Sequence, residues 1–219
     1  QRKAASRPGR GFLLPGRSTL VSDDRWGRAA DRHSMHRTAL LALLSRYQPI
    51  DAADAACRTR FTDFVCTQPS CFERTLTIGH VTGSAWITDR AGGRVLLTYH
   101  RKLNIWVQPG GHADGDPDPA AVAAREALEE TGLTGLELCG DGILDLDIHT
   151  IPARGDVPAH EHFDVRFALR ATTTEDFIVS AESHALAWVE LDRLETVTRE
   201  PSLLRMREKW RRRRAAALS

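Results

Sequence analysis

The side chains best suited to chemistry in this chain are three glutamates, Glu126, Glu129 and Glu130, in the stretch WVQPGGHADGDPDPAAVAAREALEETGL at 106–133. A helix advances about 3.6 residues per turn, so spacings of i, i+3 and i+4 place all three on one face. Carboxylates crowded in this way repel each other, and Arg125, four residues before Glu129, relieves only part of the repulsion. A divalent cation relieves it better. Hard oxygen donors, with no thiolate or imidazole cluster on that helix, favour Mg2+, with Mn2+ as a substitute, over Zn2+.

Local signals supply the helix that must carry these groups. Asp114, Asp116 and Asp118 are candidate N-caps, Pro117 or Pro119 suits the first helical position, and Gly132 suits the residue just past the end. Boundaries near 118 and 131 follow. The interior is Ala, Leu, Glu and Arg, all strong helix formers, so the helix does not depend on tertiary context.

The same residues resemble the Nudix box: a glycine, five residues, a glutamate, seven residues, then Arg-Glu-apolar-x-Glu-Glu-x-Gly-apolar. Gly111, Arg125, Glu126, Ala127, Glu129, Glu130, Gly132 and Leu133 fill the matching positions. Pro117 stands where the pattern has its first glutamate, with Asp116 and Asp118 on either side as stand-ins. The resemblance implies an α/β/α sandwich with a mixed sheet. It also implies metal ligation by Glu126, Glu129 and Glu130, with the Gly110 carbonyl as a further ligand. The implied reaction is Mg2+-dependent hydrolysis of a pyrophosphate bond in a nucleoside diphosphate linked to another group, by water attack on phosphorus. The chemistry of the carboxylate face fits it, since a metal held there neutralises phosphate charge and acidifies bound water. Glu126 or Glu129 then doubles as general base, and Arg125 orients a glutamate by a charge-assisted hydrogen bond.

Two other functions compete with this one. A domain that binds or senses a nucleotide without turnover is supported by Pro117 and opposed by the intact Arg-Glu-x-x-Glu-Glu. Isomerisation of a prenyl diphosphate needs a catalytic cysteine, and Cys57, Cys66, Cys71 and Cys139 sit in no such motif.

Around this centre, a length of 219 residues with 42% hydrophobic content allows one sizeable core with appendages. Residues 1–34 are basic and aperiodic and read as a disordered or extraneous leader, with Met35 as an internal start. A helical extension fills 35–74, with Asp51 capping a second helix through about Phe64. The hydrolase-like domain takes 75–198 and a basic helix 199–219. The formal charge of +1 gives no global case for nucleic acid or membrane partners, and a homodimer stays open. The cysteines form no CxxC pair, so a reducing cytoplasm is the default location, and no apolar run approaches the roughly 20 residues that cross a bilayer.

The supporting strands read as 81–89, 94–100, 103–107, 143–151, 160–170, 177–180 and 185–191, the first two joined by the turn Arg90-Ala-Gly-Gly93. Trp106 reads as core. Arg101 and Lys102, just before the third strand, are placed to meet an anionic substrate or to be a solvated turn. In 160–170, His160, His162, Asp164 and Arg166 share one face, expected to be exposed or to line a cleft, while Phe163, Val165, Phe167 and Leu169 share the buried one. His160, His162 and Arg166 are thus substrate-binding candidates, and the two histidines with Asp164 are an alternative metal site. By resemblance Glu182 is a further carboxylate near the metals. The tail from Pro201 to Leu218 is a helix with one docked apolar side and a solvated basic end at Arg211 to Arg214. Contact with nucleic acid or an acidic membrane is the less favoured alternative for that end.

Overall fold

The computed structural model describes residues 25–181 and 183–218, so the first 24 residues of the expected leader 1–34 and the candidate Glu182 lie outside the described residues. Two helices come first, α1 (Arg25–Arg46) and α2 (Ala52–Thr67). α1 begins before Met35, inside the segment 1–34 read as a leader. α2 starts where its cap demands: the Asp51 side chain accepts the Asp54 amide at 2.8 Å. Then come β1 (Gly79–Thr88), β2 (Arg94–His100), β3 (Ile105–Val107), β4 (Gly110–His112), α3 (Pro119–Thr131), β5 (Leu136–Leu138), β6 (Asp145–Ile151), β7 (His160–Ala171) and β8 (Ser183–Glu190). A 3-10 turn (Leu191–Arg193), α4 (Leu194–Val197) and α5 (Pro201–Leu218) close the chain.

The strands form one mixed eight-stranded sheet. β1 and β7 pair in parallel from Gly79↔Glu161 to Thr88↔Arg170, and the other ladders are antiparallel. Beside β1, β4 pairs with Thr82 to Ser84 and β2 with Ile87 and Thr88, so this edge serves two neighbours. Residues 177–180 form no strand. Their backbone makes one bond across to α3, Ile178 N to Thr131 O at 2.7 Å, which satisfies a carbonyl at the helix end instead of extending a ladder.

Side chains alternate across the sheet, and each face has its own core. Val81, Ala85 and Ile87 of β1 pack with Phe163, Val165 and Phe167 of β7 under α1, α2 and α3. Phe163 stacks on Phe64 at 3.7 Å between centroids and takes the edge of Phe61 at 5.4 Å, which docks α2. On the other face Trp86 and Ala168 pack against Leu194, Leu203, Met206 and Trp210 of α4 and α5. This is an α/β/α sandwich. Among the described residues, no helix is long and apolar enough to cross a membrane.

The polar face of β7 departs from the expectation of an open surface. Asp164 and Arg166 are each 2% exposed, Asp164 among Thr82, Ser84 and Gln108 and Arg166 among carboxylates that α5 also binds. Arg166 donates to Asp164 at 2.7 Å and Asp145 at 3.2 Å and pairs with Asp147 at 3.1 Å. From α5, Arg205 forks onto Asp145 with two 2.8 Å bonds and reaches Asp147 at 2.8 Å. Lys209 joins Asp145 at 2.5 Å and Asp54 at 2.8 Å and donates to the Tyr47 hydroxyl, which itself donates to Asp54 at 2.7 Å. Four aspartates, three cations and a tyrosine thereby join α2, β6, β7, α5 and the residue that follows α1.

The basic end of α5 is not simply solvated either. Arg211 pairs with Asp192 and Arg212 with Glu208, Arg213 donates to the Cys139 and Ile143 carbonyls, and Arg214 donates to the Gly92 carbonyl.

Burial alone would raise the carboxyls of Asp145 and Asp147, but bonds and charge from Arg205, Arg166 and other neighbours outweigh it and hold both below the usual carboxylate range. A depressed folded pKa means that this stability is fully present above the unfolded value of about 3.9 and is lost as pH falls through the lower folded values. Urea midpoints of the wild type should therefore fall steeply below about pH 4, and Asp145→Asn should flatten that dependence. Lys209→Met, which strands buried carboxylates, should cost about 3 kcal/mol at neutral pH in the same titration.

Candidate active site

Helix α3 is held at both ends by the residues its sequence provides. Asp118 accepts the amides of Ala120 at 3.0 Å and Ala121 at 3.2 Å, Pro119 occupies the first turn, and Gly132 closes the helix at φ 68°. On the preceding turn the two adjacent glycines have separate steric reasons. A Cβ on Gly110 would lie 2.1 Å from Ser84 Oγ, and one on Gly111 would lie 2.4 Å from the Glu126 carboxylate. Gly111 thus lets the backbone approach a carboxylate, whereas Gly110 lets it pack on β1.

The three glutamates of α3 have different surroundings. Glu130 is buried and its Oε1 accepts the Gly110 amide at 2.8 Å, which fixes the turn to the helix. Arg125 donates to Glu126 at 3.1 Å and to the His112 carbonyl at 2.9 Å, so it spans from helix to β4 as expected of an orienting group. Glu129 is 62% exposed, with Arg125 Nε 4.0 Å away. Asp116, beside Pro117, lies 3.7 Å from Arg125 and accepts the Asp118 amide at 3.0 Å. The acidic partner of Arg125 at the helix start is therefore Asp116, while Asp118 serves as the cap. Carboxylates with a backbone carbonyl at Gly110 are the donor set that Mg2+ or Mn2+ takes. Glu126, Glu129, Glu130 and Gly110 would hold such an ion.

The substrate candidates are scattered. Arg101 donates to the Ser183 carbonyl at 3.1 Å, across the β2–β8 ladder, and Lys102 is exposed in the turn after β2. Arg166 is committed to three aspartates and buried, which corrects its reading as a substrate ligand: charge neutralisation inside the fold uses its whole guanidinium. Trp106 is half-buried and packs against the core on the α4 and α5 side of the sheet, with Tyr99 at 5.4 Å and His184 a further 5.7 Å from Tyr99.

His160 and His162 are brought together, but not with Asp164, which is spent on Arg166, Thr82 and Ser84. Their neighbours are His80, His112 and His149, with ring centroids of His162 and these three between 4.9 and 5.4 Å apart. Sequence reading does not find His80 or His112, because only the β1–β7 register puts His80 beside His162 and the β1–β4 pairing puts His112 on Thr82. Burial, reinforced by neighbouring positive groups, lowers the pKa of His112 to about 4 and, reinforced by the other histidines, that of His162 to about 2.

A family model described as the NUDIX domain matches residues 80–210. The m7GpppN-mRNA hydrolase NUDT17 of Danio rerio is 30% identical over 138 residues, which cover 56% of this chain and 46% of that protein. The RNA pyrophosphohydrolase of Acidiphilium cryptum is 39% identical over 97 residues, covering 39% of this chain and 57% of that protein. The chain thus spans about half the length of these relatives. Among solved structures, a C. elegans Ap4A hydrolase binary complex aligns with a TM-score of 0.50 at 20% identity, over 62% of this chain and 98% of that one, a likeness of fold.

The Gly111 contact gives a direct check on the carboxylate face. Gly111→Ala should leave the fold intact, because the flexible end of Glu126 can swing away, but Mn2+ affinity read by electron paramagnetic resonance should fall about tenfold or more.

Proposed function

Because this chain belongs to the Nudix family, we propose that it is a metal-dependent hydrolase of pyrophosphate bonds in nucleoside diphosphates linked to another group. The observation that carries this reading is the face of α3 on which Glu126 and Glu130 meet the Gly110–Gly111 turn, with Glu129 exposed one turn after Arg125 and Arg125 tied to both helix and β4. Mg2+ bound there would neutralise phosphate oxygens and acidify the attacking water. The chain's own residues do the rest. Glu126 or Glu129 takes the proton from water that attacks phosphorus, and the phosphate bearing the second group leaves. Arg125 keeps Glu126 oriented, and Glu130 keeps the Gly110 carbonyl where a ligand is needed by holding the amide of the same residue.

The binder without turnover rests on Pro117. Asp116 beside Arg125 and Asp118 at the cap supply carboxylates on either side of it, which favours hydrolysis. A small nucleotide derivative is the favoured substrate, since Arg211 to Arg214 are engaged within the chain. Two relatives are named for RNA substrates, so an m7GpppN end belongs in the test panel.

Nucleoside diphosphate sugars, dinucleoside polyphosphates, dinucleotides and capped RNA should be incubated with Mg2+ or Mn2+ and the released phosphomonoester measured. At least one class should turn over, and Glu126→Gln and Glu129→Gln should each lower its kcat about 100-fold or more. Turnover within about tenfold of wild type would remove the ligand assignment. Tight binding without release would establish the binder instead.

A further inference from the structure

The histidines on the face of β1 turned away from α3 lie outside the proposed reaction. Gly83 packs on Pro119 and Val122 of α3, so by alternation His80, Thr82 and Ser84 point to the opposite side of the sheet. There His80, His160 and His162 each offer a ring nitrogen within 4.8 Å of the others, and no other trio of His, Cys, Asp or Glu among the described residues does so. We propose that His80, His160 and His162 form a second metal site, for a divalent transition-metal ion of the zinc class, with a fourth position open to water.

Unpartnered nitrogens aimed into the cluster support this independently. His162 Nε2 is buried without a hydrogen-bond partner, and His80, 1% exposed, makes no hydrogen bond of ordinary geometry from either ring nitrogen, although the Leu76 backbone lies near enough to favour its charged form. A native fold seldom leaves such groups unsatisfied unless something else binds them. The ring of His160 is set up for ligation. Its Nδ1 lies 2.9 Å from the Pro158 carbonyl, which can only accept, so Nδ1 carries the proton and Nε2 presents its lone pair. That is the arrangement by which a backbone carbonyl fixes the tautomer of a metal-binding histidine.

Metal choice follows from the donors. Three imidazoles suit Zn2+, Co2+ or Cu2+ and not Mg2+, which takes oxygen. Tetrahedral zinc with bonds of about 2.0–2.1 Å places its nitrogens about 3.4 Å apart, so closing from the present separations asks for ring movements of about an ångström. His112 adjoins the same cluster, with its ring 5.1 Å from His80 and 5.0 Å from His162.

The test uses the full chain, free of any affinity tag, stripped with chelator and titrated with CoCl2 and then ZnCl2. One equivalent of Co2+ should give the intense visible absorption of a four-coordinate site, and Zn2+ should displace it. The double variant Glu126→Gln/Glu129→Gln should keep this site, which separates it from the carboxylates. His160→Ala, at the half-buried start of β7, should fold as judged by circular dichroism and lose about 100-fold or more in Zn2+ affinity, together with the thermal shift Zn2+ gives the wild type. His162→Gln should repeat that loss if His160→Ala fails to fold. Absence of stoichiometric Co2+ binding, or binding that survives the histidine variants and vanishes with the glutamates, would overturn the proposal.

Discussion

The Asp145 carboxylate has no exposure to water, and Arg166, Arg205 and Lys209 all converge on it. A carboxylate in that position is tolerable only if its lone pairs are filled by charged donors, since desolvation otherwise exceeds the Coulombic gain. The donors come from β7 and α5, and Lys209 extends the set to Asp54 of α2 and to Tyr47, which directly follows α1. Apolar packing would accept many arrangements of α1, α2 and α5 around the sheet, whereas a carboxylate that needs three cations accepts few. The ends of the chain are therefore closed onto the sheet edge by charge geometry as much as by Met206 and Trp210.

This constraint reaches the candidate active site through a short series of contacts. Arg166 holds Asp164, Asp164 accepts from Thr82 and Ser84 of β1, and Ser84 sits where a side chain on Gly110 would be. The Gly110 amide is then bound by Glu130 of α3. The glycine turn is consequently located from two directions, by a buried polar cluster under the sheet and by the helix above it. Such double support is what a site needs if its ligands are to stay in place when a charged substrate arrives.

What was legible in the sequence had local causes. Caps, glycine termination and the spacing of Glu126, Glu129 and Glu130 depend on neighbours within one turn, and α3 appears where they put it, from Pro119 to Thr131. β2 and α5 likewise keep their expected bounds. Alternation in β7 separates its two faces correctly, but period two cannot tell whether a polar face meets water or a covering helix. That limit hides the enclosure of Arg166, because its partners Asp145 and Asp147 lie on another strand, β6. The same limit hides His80, which a parallel register alone brings to His162. The three-residue β5 is too short to show a period at all.

The irregular start of α3 follows from the same distinction between local and spatial requirements. The family pattern asks for a glutamate at the position of Pro117, but the physical need is for an acceptor near Arg125 and for a cap on the exposed amides. Asp116 and Asp118 divide those two tasks, one at 3.7 Å from Arg125 and the other bonded to the amides of Ala120 and Ala121. Proline between them fixes a backbone angle and has no amide to satisfy. A shorter side chain one residue earlier reaches less far than a glutamate, so Arg125 is held more loosely at this end than by Glu126 at 3.1 Å and the His112 carbonyl at 2.9 Å. Orientation of the carboxylate face then rests more on β4 than on the loop before the helix.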